Sequence, residues 1–368
     1  MRQQGRLTLS TGETFQGNLI GAPAPKSGEL VFNTGMVGYS EALTDPSYFG
    51  QILIFSYPLI GNYGIPKLLA LDETLLPAGF ESSKIQVSAV VLSIDSEFAF
   101  HWSSFQCLDA WLEQEGTPGL VSVDTRHLVH LIRNHGGVLG RLEPASAAAP
   151  ALQTHEFFDP AKHNLLPYVS RQEPKIFGRG SVRIGVVDCG LKWNLLRQLI
   201  ALDCEVQVLP WDADFQSYDC SGWLLSNGPG DPKNTGDLLK RIAKLLDQKK
   251  PILGVCLGHQ ILALAAGAQT ERLPYGHRGH NQPVVDLETS RGFMSTQNHG
   301  YVVVKDSLPA GWKPWFNNIN DNSLEGLKHE ALPYRSVQFH PEASGGPQDT
   351  GWILKNFVDS VRAHATQT

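Results

Sequence analysis

Residues Pro251-Ile252-Leu253-Gly254-Val255-Cys256-Leu257-Gly258-His259-Gln260 form an apolar run of strand length that stops on a glycine-flanked cysteine and continues as a helical pattern. Gly254 to Gly258 have the G-x-nucleophile-x-G form, in which small flanking residues permit a sharp strand-to-helix turn that lifts the central side chain out of the sheet. Cys256 is therefore the candidate nucleophile. At a helix N-terminus, unpaired N–H groups and the helix dipole favour thiolate over thiol. The N–H of Leu257 is placed to donate to an oxyanion on the attacked carbon. The competing reading is a buried cysteine that packs as a small hydrophobe.

A cysteine nucleophile needs a base, and the base needs an orienting group. Arg335 to Glu342 reads as a strand ending in His340-Pro341-Glu342. In an extended segment residues two apart share a face, so the Glu342 carboxylate could hold the His340 imidazole. A second wall for a pocket is offered by Ser226-Asn227-Gly228-Pro229-Gly230-Asp231-Pro232, whose glycines let backbone N–H groups approach a substrate. His277 and His280 have H-x-x-H spacing, but in what reads as a Gly-rich loop rather than a helix, so no metal site is expected there.

The elements that must position these groups alternate from about Ser181 onward. Strands are expected at Arg183–Val187, Glu205–Leu209, Gly222–Leu225 and Ile252–Val255, with helices at about Lys192–Leu202 and Thr235–Lys249. This is the pattern of an α/β domain with an open, mostly parallel sheet flanked by helices, where chemistry gathers beyond the carboxyl ends of the strands. Before residue 145 shorter strands dominate: a hairpin through Leu7, Leu9 and Phe15–Ile20, then Leu30–Asn33, Gln51–Phe55 and Val87–Ile94. Asp124 opens a helix with Leu128, Leu131 and Ile132 on its inner face, closed by Gly136-Gly137. The division expected is a β-rich α/β domain over 1–143, a linker region over 144–180 beginning in Pro144–Pro150, and a second domain over 181–368.

With 368 residues, 42% hydrophobic and 18% charged, the chain has the composition of a soluble globular protein of two domains. Thirty basic and 36 acidic residues leave a net charge of −6 and no dense basic run, so neither nucleic acid nor an anionic membrane is an expected partner. No signal-peptide core or bilayer-length apolar segment is seen, and five scattered cysteines fit a reducing compartment; the expected location is the cytoplasm.

Gly254 to Gln260, the Gly228-Pro229-Gly230-Asp231 turn and His340-Pro341-Glu342 resemble, in order and spacing, the three signatures of class I triad-type glutamine amidotransferases. Phe32-Asn33-Thr34-Gly35-Met36-Val37-Gly38-Tyr39-Ser40-Glu41, Leu43 to Tyr48, Tyr57-Pro58, Ile60-Gly61-Asn62, Asp124-Thr125-Arg126, Asp188-Cys189-Gly190 with Lys192, and Gln297-Asn298-His299-Gly300 resemble the small subunit of carbamoyl phosphate synthetases. The resemblance implies a flavodoxin-like second domain and a glutaminase. In it Cys256 attacks the side-chain amide of L-glutamine, Leu257 and Gly230 supply oxyanion donors, His340 moves protons and Glu342 orients it. It also implies a glutamine site of Ser47, Gly228, Gly230, Leu257, Gln260, Asn298, Gly300 and Tyr301. Ammonia would pass through a tunnel to a large subunit, where ATP and Mg chemistry makes carbamoyl phosphate for arginine and pyrimidine synthesis. No cofactor or metal is expected in this chain, which has neither a G-x-x-x-x-G-K-[ST] nor a G-x-G-x-x-G motif.

His280 stands where that family usually has a small residue, Gln282 where a histidine is expected, and Tyr301 where phenylalanine is commoner. Two other readings stand beside this one: an amidotransferase for another synthetase, such as those making anthranilate or guanylate, and a catalytically silent binding or regulatory subunit.

Overall fold

The computed structural model describes residues 2–68, 76–96, 98–146 and 157–366, and the chain divides into two compact units. The first contains Met1–Leu71 and Pro77–Lys162, the second Asp72–Leu76 and His163–Thr368. Part of the expected linker, 147–156, lies outside the described residues. The remainder is more structured than a linker, because residues 163–180 belong to the second unit and give it a helix and an edge strand.

The first unit is a closed barrel of β1 (Gln4–Leu9), β2 (Thr14–Gly21), β3 (Lys26–Asn33), β4 (Gln51–Phe55), β5 (Ala89–Val91), β6 (Pro118–Val121) and β7 (Leu139–Pro144). Their order is β1-β2-β6-β5-β4-β3-β7. The hairpin read from Leu7, Leu9 and Phe15 is present, with Leu7 opposite Phe15. Inward residues Leu7, Leu30, Ile52, Ile54, Val91 and Leu120 pack with Leu128 and Ile132. The helices are α1 (Tyr39–Thr44), α2 (Leu108–Gln114) and α3 (Thr125–His135). Asp124 caps α3 by accepting from the His127 N–H at 2.9 Å, and Gly136 ends it at φ 77°.

The second unit is a ten-stranded mixed sheet of β8 (Lys175–Phe177), β9 (Val182–Asp188), β10 (Cys204–Pro210), β11 (Gly222–Leu225), β12 (Ile252–Val255), β13 (Thr270–Asp286), β14 (Gly292–Val303), β15 (Trp312–Asn318), β16 (Leu324–His329) and β17 (Tyr334–Val337). Its parallel part is β10-β9-β11-β12-β17. Alternation along these strands feeds two apolar layers. Ile184, Val186, Leu224 and Leu253 face α5 (Trp193–Ala201) and α8 (Trp352–Ala365), while Val187, Trp223, Leu225 and Ile252 face α6 (Leu238–Leu246) and α7 (Leu257–Ala265). A short α4 (Leu166–Val169) precedes β8.

The other five strands add antiparallel pairs. The Gly-rich segment holding His277 and His280 is part of β13, not a loop. Register shifts between Arg272 and His277 and between Gly279 and Gln282 break the period-two pattern that marks a strand in sequence. Gly276 is needed there, since a Cβ would lie 2.5 Å from the His299 carbonyl oxygen of the partner strand. Among the described residues no helix is long and apolar enough to cross a membrane.

Candidate active site

β12 ends at Val255 and α7 begins at Leu257, leaving Cys256 alone in the turn at φ 53°, ψ −105°. A non-glycine residue at positive φ stores about 1–3 kcal/mol of strain. The flanking glycines make the turn possible: a Cβ on Gly254 would lie 2.5 Å from the Gly258 oxygen, and one on Gly258 would lie 2.1 Å from the Leu225 oxygen. The Cys256 N–H donates to the Val337 carbonyl at 2.9 Å, which ties the elbow to β17. Its sulfur, on a residue 3% exposed, donates to the Asn298 carbonyl at 3.7 Å. Replacing Gly258 with alanine is expected to cost about 3 kcal/mol by overpacking and to lower the turnover of any reaction that uses the Cys256 sulfur by about 100-fold through its misplacement. Urea denaturation and a Cys256-dependent turnover assay measure the two effects.

His340 and Glu342 meet, though not by strand alternation. β17 stops at Val337; His340 then bridges to Thr296, donating its N–H to that carbonyl at 2.9 Å, and a turn closes with the Ala343 N–H on the His340 carbonyl at 3.2 Å. Within this turn Nδ1 of His340 lies 2.7 Å from Oε1 of Glu342. Pro341 thus favours a turn where the sequence reading put an extended piece. Nε2 of His340 is buried with no hydrogen bond of ordinary geometry, and the Cys256 thiol is close enough to act on its ionisation.

The carboxylate is held by a residue to which the sequence reading gave no role. Lys192, which precedes α5, donates through Nζ to Oε1 of Glu342 and to the Ala343 carbonyl, each at 3.0 Å. Both side chains are buried, and Asn194 and Gln198 donate to the Glu342 carbonyl at 2.6 and 2.8 Å. Its sequence signals are its place just past the end of a buried strand and its membership, with Asp188-Cys189-Gly190, in a segment of the small-subunit resemblance. Burial opposes the charge on Glu342, yet Lys192 and His340 overcome it and hold the carboxyl at about 2. Burial likewise opposes the imidazolium of His340, but Glu342 raises it to about 10, with Cys256 adding to the effect against Lys192.

The raised His340 contributes stability that is complete below its ordinary value of 6.5 and is lost as pH climbs through about 10. For the depressed Glu342 the contribution is complete above 4.5 and lost as pH falls through about 2. In urea denaturation the margin of the unsubstituted chain over His340→Asn should therefore be largest near about pH 6 and shrink steadily toward about pH 10. A margin independent of pH across that range would remove the imidazolium from the account.

Other expected residues of the second unit lie on α7, on β14 and in the turn after β11. Gln260, one turn along α7, donates to the Tyr301 carbonyl at 2.9 Å and to Oε1 of Gln338 at 3.0 Å. Asn298 presents its carbonyl to Cys256 and keeps a buried Nδ2 with no hydrogen-bond partner, a donor open to a ligand. Gly300 and Tyr301 follow on β14, and Leu257 is the first residue of α7, where helix geometry leaves its N–H outside the intrahelical ladder. Gly228 and Gly230 lie in the turn after β11, Gly230 at φ 90°. That turn is joined to the Lys192 loop through Asn227, whose side chain accepts from the Lys192 N–H at 3.1 Å and donates to the Gly190 carbonyl at 2.9 Å. Ser47 belongs to the first unit, in a 3₁₀ turn over Pro46–Tyr48 where its N–H donates to Asp45 at 2.9 Å. His280 does not join His277; burial, and then Lys192, press its ionisation down to about 4, so it is neutral. A cleft of about 700 Å³ lined by Lys313, Lys328 and Arg335 contains none of Cys256, His340 and Glu342.

A strained cysteine at a strand-to-helix elbow, with a buried histidine and glutamate beside it on an α/β sheet, defines the class: residues 185–360 match the family model described as glutamine amidotransferase class-I. Residues 7–142 match the model described as carbamoyl-phosphate synthase small chain, CPSase domain. The carbamoyl phosphate synthase arginine-specific small chain of Aspergillus clavatus is 42% identical over 367 residues, covering 98% of this chain and 80% of that protein. The chain belongs to the carbamoyl phosphate synthase small chain family. It is also similar to the multifunctional protein CAD of Squalus acanthias, 46% identical over 359 residues that cover 97% of this chain and 16% of that protein. The multifunctional protein URA2 of Saccharomyces cerevisiae is 42% identical over 385 residues, covering 97% and 17%. The chain thus spans about a sixth of the length of these two relatives.

Proposed function

We propose that this chain is the glutamine-hydrolysing subunit of a carbamoyl phosphate synthase. The observation that carries this reading is the buried array of Cys256, His340, Glu342 and Lys192 in a chain whose other unit matches the small-chain model. With His340 as imidazolium, the Cys256 thiolate attacks the side-chain amide carbon of glutamine. The developing oxyanion takes the N–H groups of Leu257 and Gly230, and the Asn298 Nδ2 serves the substrate's polar groups. His340 gives its proton to the departing nitrogen, so ammonia leaves and a γ-glutamyl thioester remains. It then takes a proton from water, whose oxygen attacks the thioester, releases glutamate and restores the thiolate.

Ammonia passes to a large synthetase partner that supplies ATP and Mg²⁺ and forms carbamoyl phosphate from bicarbonate, in the cytoplasm; the small-chain match favours this product over anthranilate or guanylate. The assignment of Ser47 to the glutamine site rests on the likeness of its segment alone. An electrophilic glutamine analogue, incubated with the chain in complex with its synthetase partner, should modify Cys256 stoichiometrically by peptide mass spectrometry. Failure to label it, or equal labelling of Cys189 or Cys220, would return the chain to the class of silent binding subunits.

A further inference from the structure

Apart from the triad, one group of side chains in the second unit turns its lone pairs toward a common point. His277 on β13 and His299 on β14 have ring centroids 4.9 Å apart at 78°. Nε2 of His277 lies 2.8 Å from Asp321 Oδ2, and Nδ1 of His299 lies 2.9 Å from the Tyr301 carbonyl. A carboxylate and a carbonyl only accept, so those two nitrogens carry the ring protons. The nitrogens left over, Nδ1 of His277 and Nε2 of His299, both face Oε1 of Gln297, at 3.0 and 3.2 Å. They also face Oε1 of Glu325, at 3.3 and 3.7 Å. Glu325 is fully buried, and its Oε2 has no hydrogen-bond partner.

Four acceptor atoms face one another. Beside them the Asn318 Nδ2 lies 3.4 Å from His277 Nδ1 and 3.5 Å from Glu325 Oε1, and the Ser323 hydroxyl 3.3 Å from that same oxygen. These contacts are long enough to leave a positive group between the four favoured. A proton on Nδ1 of His277 answers one contact but leaves Nε2 of His299 and Oε2 of Glu325 unmatched. Turning the Gln297 amide over would offer N–H groups to both rings and would still leave Oε2 bare. A tetrahedral ion with bonds of about 2.0–2.1 Å separates its ligands by roughly 3.4 Å, the scale of the spacings here. Histidines that bind metal usually donate their second ring N–H to a carboxylate or a backbone carbonyl, as both rings do here. One ligand atom from each of His277, His299 and Glu325 fits within 4.8 Å of the others, all three residues being buried.

We propose that His277 Nδ1, His299 Nε2 and the Glu325 carboxylate, with Gln297 Oε1 as a fourth donor, form a structural site for one divalent ion of the zinc class. The pair is His277 with His299, not the H-x-x-H pair His277 and His280. The ion would fasten β13 and β16 to β14, the strand whose Asn298 carbonyl meets the Cys256 sulfur. The site does not depend on the glutaminase reading, because its test reads metal rather than turnover.

The full chain, stripped with a chelator and dialysed, is titrated with Zn²⁺ and separately with Co²⁺, and bound metal is counted by mass spectrometry. One ion per chain is expected, with a melting temperature that rises on loading. Glu325→Gln and His299→Gln should abolish stoichiometric binding, and Asp321→Asn should weaken it about 10–100-fold. Cys256→Ser should bind as the unsubstituted chain does, which excludes the nucleophile as the ligand. Should the core variants fail to fold, Asp321→Asn decides, since that aspartate is partly exposed. No stoichiometric uptake by the unsubstituted chain, or uptake indifferent to Glu325→Gln, His299→Gln and Asp321→Asn, would overturn the proposal in favour of a site filled by protons alone.

Discussion

Replacing Cys256 with serine is expected to lower glutamine-dependent carbamoyl phosphate formation by at least about a thousandfold, while formation from added ammonia by the same complex stays near its original rate. The hydroxyl is a far weaker nucleophile, and the site that supports a thiolate beside an imidazolium gives an alkoxide no comparable help. Position is not the cause, because serine fits the same elbow: the contacts that shape it are backbone ones, from the Cys256 N–H to Val337 and from the glycines at 254 and 258 to their neighbours. The assay is run on the chain together with the ATP-binding partner proposed for it, varying only the nitrogen source. Loss of both activities would place Cys256 in the scaffold instead of the chemistry. Retention of both would move the nucleophile elsewhere.

The parallel strands were legible because burial on both faces makes them near-continuous apolar runs. Gln51–Phe55, Gly222–Leu225 and Ile252–Val255 appear with the bounds the sequence implies. The cap at Asp124 and the elbow at Cys256 were legible for a different reason, since each is a local backbone requirement that only a few residue types meet. β13 to β16 were not. Their bulges interrupt alternation, and glycines that serve close strand approach look like loop residues in sequence. Lys192 lies 150 residues from Glu342, and Glu325 lies 48 from His277. Such pairs are made by topology, so spacing along the chain carries no trace of them. His340 and Glu342 were paired correctly for an incorrect reason, because a turn can bring i and i+2 together as well as a strand can.

Lys192→Met should be the most damaging substitution outside the nucleophile and its base. Lys192 and His340 are the two positive groups that hold the buried Glu342 carboxylate ionised. Deleting the ammonium takes one of these two partners from the carboxylate, in a place where Glu342 is fully buried and Lys192 nearly so. Removing one partner of such a pair costs about 3–5 kcal/mol, and urea denaturation should show a loss of that size. The Ala343 carbonyl also loses its donor, in a turn where Ala343 and Ser344 already hold φ of 52° and 72°. Lys192 does not reach the reacting atoms, so it acts as a positioning residue, and a kinetic signature separates that role from simple misfolding. Lys192 depresses the imidazolium that Glu342 raises, so its loss should move the basic limb of the glutaminase pH profile to higher pH, along with a fall in turnover. The double variant Lys192→Met with Glu342→Gln removes both charges and should regain most of the lost stability without regaining turnover. A single variant within about 0.5 kcal/mol of the unsubstituted chain would show that water, and not Lys192, balances the carboxylate. A double variant no more stable than the single one would show that the loss came from packing rather than from charge.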